Sequence, residues 1–203
     1  MITIIDYGMG NLGSILNMFK KIGYEAEITS DLEKIKNSEK IVLPGVGSFD
    51  NGMANLNKLN LINILNTLVL EKHIPILGIC LGMQLITNSS QEGKLKGLGW
   101  VDANTLKFKF SKNNIKIPHM GWNNINIKKI NPLLKNLNDS ETRFYFVHSY
   151  YVKCNQKNDI LTTTEYGFDF ASSIQKDNIY GVQFHPEKSH KFGMKLFENF
   201  AKI

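Results

Sequence analysis

Residues Ile74–Leu85 read IPILGICLGMQL, and the spacing of their apolar side chains changes part-way along the stretch. The run Ile74–Ile79 predicts a buried strand, and the residues from Leu81 onward predict a helix. Between the two lies a G-x-C-x-G pattern centred on Cys80. A nucleophile held between small residues at a strand–turn–helix junction is typical of a nucleophile elbow, here in its cysteine form. The stretch therefore predicts a βα unit whose turn presents a cysteine.

The first half of the chain alternates between strand and helix patterns. Further strands are predicted at Ile2–Ile5, Glu25–Ile28 and Ile41–Leu43, and helices at Leu12–Ile22 and Ala54–Leu70. This order is typical of a parallel sheet with helices on both of its faces.

After Gly93 the pattern changes to a series of short strands, closed by a helix at Phe192–Ala201. The predicted strands are Thr105–Phe110, Ile115–Ile117, Asn124–Ile127, Phe144–Tyr151, Ile160–Thr164, Ala171–Ile174 and Ile179–Phe184. We therefore expect an α/β fold in which a doubly wound, mostly parallel sheet carries an antiparallel extension. The 203 residues suit a single domain, 1–203.

The composition excludes several classes of protein. The net charge of +6 is carried by lysines scattered along the chain, with Arg143 the one arginine, which argues against a nucleic-acid site. The apolar runs are too short or too interrupted to span a bilayer, and the two cysteines form no disulfide framework. We expect a cytoplasmic protein that does not bind a membrane and that needs neither a cofactor nor a metal.

Cys80 is the first candidate catalytic residue. A thiol at a helix N-terminus faces unpaired N–H groups, which favour the thiolate, and the N–H of Leu81 is expected to point toward a developing oxyanion. The alternative is a small buried core cysteine. The glycines on both sides favour the nucleophile. Cys154 lies in the polar run VKCNQKND and has no such setting.

A cysteine nucleophile needs a base, and His185 is the candidate. It follows the predicted strand Ile179–Phe184 in the sequence FHPEKS, with Pro186 ending the strand and Glu187 two residues further on. Residues at i and i+2 share a face, so the carboxylate of Glu187 can orient the imidazole. A structural histidine is the alternative.

The loop Pro44–Gly47 follows another strand at the edge where doubly wound sheets bind ligands. Its glycines let a peptide N–H turn toward an oxyanion, although a plain strand-exit turn explains the loop equally well.

A rival interpretation comes from Gly8, Gly10 and Gly13, which form G-x-G-x-x-G after the first strand, with Asp31 near the position of a ribose-binding acid. This pattern predicts a dinucleotide-binding protein. It leaves Cys80, His185 and Glu187 without a role.

Several of these segments together resemble the class I, triad-type glutamine amidotransferases. The segments PGVG, GICLGMQ and FHPEKS carry the resemblance, and DYGMGNL, IPHMGWN and RFYFVHSYY narrow it to the glutaminase subunits of imidazole glycerol phosphate synthases. It covers essentially the whole chain. The resemblance implies that Cys80, His185 and Glu187 hydrolyse glutamine to glutamate and ammonia. It assigns the oxyanion hole to Val46, Gly47 and Leu81, the glutamine-binding positions to Gln84, Glu92, Ser149 and Tyr150, and the partner-facing positions to Asn11, Tyr145 and Lys188.

The resemblance also implies a partner. A (β/α)8-barrel cyclase subunit forms a heterodimer with the glutaminase and receives its ammonia, making imidazole glycerol phosphate and AICAR in histidine biosynthesis. Ammonia released into neutral water is mostly protonated, so an enclosed path preserves its reactivity. The segments EKSHKFGMKLFENF and TEYGFDFASSI also resemble paralogues that supply ammonia for the amidination of a surface-polysaccharide sugar. Both hypotheses, histidine biosynthesis and sugar amidination, involve the same hydrolysis of glutamine.

Overall fold

The computed structural model describes residues 1–110, 115–137 and 141–203. The α-helices are α1 (Leu12–Lys21), α2 (Leu32–Lys36), α3 (Phe49–Lys58), α4 (Leu61–Asn66), α5 (Leu81–Leu85) and α6 (His190–Lys202), and a π-helical turn over Thr67–Glu71 continues α4. The strands are β1 (Ile2–Ile5), β2 (Ala26–Thr29), β3 (Lys40–Leu43), β4 (Ile76–Ile79), β5 (Ser89–Ser90), β6 (Ala103–Lys107), β7 (His119–Asn124), β8 (Asn126–Ile127), β9 (Arg143–His148), β10 (Tyr150–Cys154), β11 (Ile160–Glu165), β12 (Asp169–Lys176) and β13 (Ile179–Val182).

The main sheet has the order β2-β1-β3-β4-β13-β12-β10-β6-β5, with β11 and β8 attached through β12. The first five strands of this order are parallel. Beyond β13, the strands β12, β10 and β6 pair antiparallel with one another. Strands β7 and β9 form a separate antiparallel pair. The predicted α/β fold, a doubly wound sheet with an antiparallel extension, is confirmed.

Two apolar layers cover the two faces of the sheet. On one face α1 and α6 pack together, and the rings of Phe19 and Phe197 lie 4.8 Å apart. On the other face α3, α4 and α5 bury Leu56, Leu65 and Leu85. Within the described residues, no helix is long and apolar enough to cross a membrane.

The structure corrects several local predictions, among them the strand Asn124–Ile127, which divides at Ile125 between the end of β7 and β8. The helix predicted at Ala54–Leu70 begins earlier, at Phe49, and is interrupted after Lys58, where Asn60 adopts a left-handed conformation with φ of 56°. Asparagine tolerates that conformation better than most residues, so the chain turns there and restarts as α4. The predicted strand Phe144–Tyr151 divides at Ser149 into β9 and β10.

Residues Ile115–Ile117 do not form the predicted strand. The hydroxyl of Tyr166 donates to the carbonyl oxygen of Lys116 at 2.7 Å, so a side chain rather than a strand ladder holds this segment. The apolar character of this segment alone does not distinguish a strand from a loop that a side chain holds in place.

The sheet order decides where function can lie. Strands β1, β3, β4 and β13 are neighbours and parallel, so their carboxyl ends meet at one edge. The segments that leave this edge are Tyr7–Asn11, Pro44–Gly47, the turn at Cys80 and the run from Gln183 to Glu187. Open α/β sheets bind their ligands at this edge.

Candidate active site

Cys80 sits in a strained turn between β4 and α5. Its φ of 53° and ψ of −106° are unusual for a residue with a side chain, and strain of this kind concentrates at functional sites. Its N–H donates to the carbonyl oxygen of Val182 at 2.8 Å, which ties the turn to β13. The thiol is largely buried, at 7% exposure. Helix α5 has five residues, so it supplies less dipole than the sequence analysis expected.

The two glycines around Cys80 permit a close approach of backbone segments. A Cβ on Gly82 would lie 1.8 Å from the carbonyl oxygen of Leu43 on β3, and a Cβ on Gly78 would lie 2.8 Å from the backbone of Gly82. No side chain fits at either position without moving the backbone. The G-x-C-x-G pattern therefore has the physical cause proposed for it.

His185 and Glu187 form a buried pair beside the thiol. Nδ1 of His185 and Oε1 of Glu187 are 2.7 Å apart, and both side chains are almost fully buried. Burial lowers the pKa of His185, but its interactions with Cys80 and Glu187 outweigh that effect and raise the pKa well above the ordinary value. Nε2 of His185 is buried without a conventional hydrogen-bond partner. The ring therefore offers a nitrogen for proton transfer next to the sulfur.

Replacing Glu187 by glutamine is expected to lower the pKa of His185, because burial then faces a weaker opposing interaction. Because the pKa of His185 is higher in the folded chain than in the unfolded chain, protonation of this residue stabilises the fold. The stabilisation is fully present below the pKa of an unfolded histidine and is lost as the pH rises through the pKa of the folded state. In a histidine NMR titration, the imidazolium of the Glu187→Gln variant should disappear at a lower pH than in the wild type. An unchanged midpoint would contradict the pairing.

One cavity of about 330 Å³ collects the predicted site residues. Within the sets predicted for catalysis, oxyanion binding and glutamine binding, all members except Glu187 line it: Val46, Gly47, Cys80, Leu81, Gln84, Glu92, Ser149, Tyr150 and His185. Glu187 lies behind the ring of His185. The volume falls within the usual range for small-molecule sites, roughly 300–1,000 Å³.

Glu92 is positioned in the cavity by the start of α3. Its Oε2 accepts a hydrogen bond from the N–H of Phe49 at 2.8 Å. The backbone N–H groups of Lys94 and Leu95 donate to the carboxylate of Asp50, and these bonds lower the pKa of Asp50. The loop is thereby fastened to the helix, so the carboxylate of Glu92 is a fixed negative group in the cavity wall.

The Pro44–Gly47 loop lies against the Cys80 turn. The N–H of Leu81 donates to the carbonyl oxygen of Gly45 at 3.3 Å. Val46 is 45% exposed, and Gly47 has a φ of 120° that suits glycine. The N–H predicted to serve an oxyanion therefore holds a carbonyl oxygen in this conformation, and the loop must turn before the N–H is available.

The site also contains residues that were not predicted from the sequence: Pro118, Val147 and His148 line the cavity, and Gln183 and Tyr7 lie beside it. Gln183 is fully buried, accepts a hydrogen bond from Gln84 at 3.0 Å, and directs its Nε2 toward the sulfur of Cys80 at 3.7 Å. Its position two residues before His185 was a usable signal, because i and i+2 share a face. Tyr7 donates to the carbonyl oxygen of Pro44 at 2.5 Å, and burial, with Cys80 adding to it, raises the pKa of this phenol.

The residues of the dinucleotide pattern have other roles. Asp31 caps α2 by accepting from the N–H groups of Glu33 and Lys34 at 2.8 and 3.1 Å. A Cβ on Gly10 would lie 3.1 Å from Pro44, so this glycine lets the first turn pack on the Pro44–Gly47 loop. A Cβ on Gly13 would meet nothing within 4 Å, so the packing around it does not require a glycine.

The three predicted partner-facing residues lie at the same edge as the cavity. Nζ of Lys188 is 5.8 Å from the ring centroid of Tyr145, and the carbonyl oxygen of Tyr145 accepts from the N–H of His185 at 2.9 Å. Asn11 is exposed at the start of α1. Among the described residues, no cluster of three or more histidine, cysteine, aspartate or glutamate side chains could hold a metal ion.

A family model described as glutamine amidotransferase class-I matches residues 3–203. The chain belongs to this family. Imidazole glycerol phosphate synthase subunit HisH 2 of Methanococcus maripaludis is 63% identical to this amidotransferase over 202 residues, covering 100% of this chain and 99% of that protein. The protein of the same designation from Pseudomonas aeruginosa is 46% identical over 203 residues, with full coverage of both chains.

Solved structures support the fold of the amidotransferase. The structure of PurLQS from Thermotoga maritima matches with a TM-score of 0.77 at 17% identity, over 99% of this chain and 97% of that one. A crystal structure described as glutamine amidotransferase gives a TM-score of 0.75 at 13% identity, over 100% and 98% of the two chains.

Proposed function

We propose that this amidotransferase hydrolyses glutamine as the glutaminase subunit of an imidazole glycerol phosphate synthase. Cys80, His185 and Glu187 form the catalytic triad. The observation that carries the chemistry is the strained Cys80 turn beside the buried His185–Glu187 pair in one cavity. The two full-length relatives described above, which are named as subunits of that synthase, support the assignment.

The reaction begins with attack of the Cys80 sulfur on the carboxamide carbon of glutamine. A proton passes from His185 to the departing nitrogen, which leaves as ammonia, and the γ-glutamyl thioester remains on Cys80. Water then attacks the thioester carbon, His185 takes its proton, and glutamate is released with the thiolate restored. Glu187 holds the imidazole in place and stabilises its charged form.

The cavity wall offers groups that match glutamine. The carboxylate of Glu92 is fixed by the N–H of Phe49, so it can pair with the α-ammonium group of the substrate. Gln84, Ser149 and Tyr150 line the same cavity and complete the binding site. The cavity is therefore selective for a small amino acid with a charged end and a carboxamide end.

The oxyanion hole consists of the N–H of Leu81 and the peptide at Val46 and Gly47. Because the carbonyl oxygen of Gly45 holds the N–H of Leu81 in this conformation, the resting site is not ready for an oxyanion. A turn of the Pro44–Gly47 loop completes it. Such a gate suits a glutaminase that should not release ammonia when no acceptor is present.

The partner covers the carboxyl edge of the sheet. On β7, Met120 and Trp122 are 62% and 44% exposed, and Trp122 pairs with Tyr145 on β9. Large exposed apolar side chains beside an active site are typical of a protein interface. We propose that this surface, with Asn11, Tyr145 and Lys188, binds a (β/α)8-barrel cyclase subunit as a heterodimer that receives the ammonia and forms imidazole glycerol phosphate and AICAR.

The test is co-expression with each of two barrel subunits, the cyclase of histidine biosynthesis and the barrel of a sugar-amidinating pair. The amidotransferase should co-purify with the cyclase and support imidazole glycerol phosphate formation from glutamine. The assay uses cell extract, because we propose that the reaction takes place in the cytoplasm. Exclusive pairing with the sugar-modifying barrel would overturn the pathway while leaving glutamine hydrolysis in place. Absence of glutaminase activity with either barrel would overturn the whole proposal.

A further inference from the structure

Two buried histidines outside the triad form a continuous hydrogen-bonded chain. Nδ1 of His119 and Nε2 of His148 are 2.9 Å apart, and Nδ1 of His148 is 2.7 Å from the carbonyl oxygen of Tyr150. At the other end, Nδ2 of Asn123 is 3.2 Å from Nε2 of His119. The chain runs from β7 through β9 to the first residue of β10, and His148 and Tyr150 line the glutamine cavity.

The order of donors and acceptors in this hydrogen-bonded chain is fixed at its Tyr150 end. A carbonyl oxygen can accept but not donate, so Nδ1 of His148 carries a proton. Burial lowers the pKa of His148 to about 3, with Tyr150 opposing and the nearby His119 and His185 adding to the effect, so the ring is neutral at neutral pH. Nε2 of His148 is then unprotonated and accepts from Nδ1 of His119.

The Asn123 end gives the same direction independently. Nδ2 of Asn123 also donates to the carbonyl oxygen of Glu165 at 3.0 Å, and its Oδ1 accepts from the N–H of Asn124 at 2.9 Å. These bonds fix the amide orientation, so the second Nδ2 proton is given to Nε2 of His119. Burial lowers the pKa of His119 to about 4, and this ring is also neutral. Both ends therefore require the Nδ1–H tautomer in both rings.

Aromatic side chains hold the two rings in place. The ring of His119 stacks on Tyr166 and Phe146, with centroids 4.0 and 4.8 Å away. The ring of His148 lies 5.2 Å from both Phe108 and Phe170. The polar chain is thus enclosed by apolar contacts, where a broken hydrogen bond costs more than at the surface.

We propose that His119 and His148 are positioning residues for glutamine binding, which act by fixing the carbonyl of Tyr150 and with it the Ser149–Tyr150 wall of the cavity. Nε2 of Gln84 donates to the same carbonyl oxygen at 3.4 Å, so two buried side chains converge on one peptide of the substrate site. Neither histidine touches the reacting atoms. The inference rests on the proposed glutaminase function.

The kinetic arm uses the complex with the synthase partner and compares His148→Leu with His148→Asn. Loss of the Nδ1 donor in His148→Leu should raise KM for glutamine about tenfold, the usual scale for one buried hydrogen bond, with a smaller change in kcat. Asparagine places an N–H near the position of Nδ1 and should recover most of the KM. His73→Asn, at an exposed histidine whose φ of 54° asparagine accepts, is the matched control and should be unchanged.

The spectroscopic arm needs no activity, so it separates this inference from the proposed function. Two-bond ¹H–¹⁵N correlations on the wild-type chain should show Nδ1–H tautomers for both His119 and His148, assigned through their variants. An Nε2–H tautomer in either ring would contradict the inferred direction of these hydrogen bonds, even if the enzyme were active. Wild-type KM in a folded His148→Leu variant would overturn the positioning role. Inactive wild-type complex with both Nδ1–H tautomers present would overturn the proposed function, and with it the role in glutamine binding.

Discussion

In the complex with its synthase partner, the Cys80→Ala variant is expected to lose glutamine-dependent product formation by roughly three orders of magnitude or more, while formation from added ammonium salt persists. In the proposed mechanism the Cys80 sulfur attacks the carboxamide, so its removal should stop ammonia release. In the proposed complex the acceptor chemistry resides in the partner, which can use ammonia from any source. The measurement is the rate of product formation with each of the two nitrogen donors.

Cys154→Ala is the matched control for this variant. Burial, with Asp159 and Asp102 adding to it, raises the pKa of Cys154 to about 12, so its thiol remains protonated and is a poor nucleophile. Glutamine-dependent activity should survive in this variant. If Cys80→Ala lost both activities in an intact complex, or kept the glutamine-dependent one, the nucleophile would be assigned wrongly.

The Gly82→Ala variant is expected to lower the free energy of unfolding by about 1–3 kcal/mol or more, the usual cost of forcing extra volume into a packed interior. The added Cβ would lie 1.8 Å from the carbonyl oxygen of Leu43, and a backbone oxygen cannot move away as a flexible side chain can. The relief must come from separating β3 from the Cys80 turn. Denaturant unfolding of the purified chain measures the effect.

Gly13→Ala is the matched control, because it makes the same glycine-to-alanine change at another position. The position is helical and exposed, and an added Cβ meets nothing within 4 Å, so the change should be neutral or slightly stabilising. Equal destabilisation by the two variants would contradict the close approach at Gly82. The contrast also separates a glycine that the fold needs from one that only completes a dinucleotide pattern.

The sequence identified residues that the structure brings together around one cavity, whereas it predicted the boundaries of the surrounding elements less well. The G-x-C-x-G pattern and the histidine followed two residues later by Glu187 are local, and parallel strand ends bring them together without further information. The break at Asn60 rests on the left-handed backbone conformation of one residue, and hydrophobic periodicity reports neither this break nor the turn at Ser149. Asp31 lies where the dinucleotide pattern predicts a ribose ligand, but in the structure it caps the short helix α2.

The contacts between distant segments could not be derived from spacing. The bond from Leu81 to Gly45 joins two turns, and it occupies the N–H group that the sequence predicts to face a developing oxyanion. The chain from Asn123 to Tyr150 likewise depends on the pairing of β7 with β9. A single sequence does not show which distant group forms the hydrogen bond that determines where a histidine carries its proton.

Covalent labelling with a glutamine analogue that carries a diazoketone in place of the carboxamide tests the central claim most directly. The thiolate displaces dinitrogen from the protonated diazoketone and leaves a stable thioether, which peptide mass spectrometry locates. In the wild-type complex we expect one adduct per chain, on Cys80, with glutaminase activity lost in parallel and glutamine protecting against both. An adduct on Cys154, or full loss of glutaminase activity with Cys80 unmodified, would contradict the account.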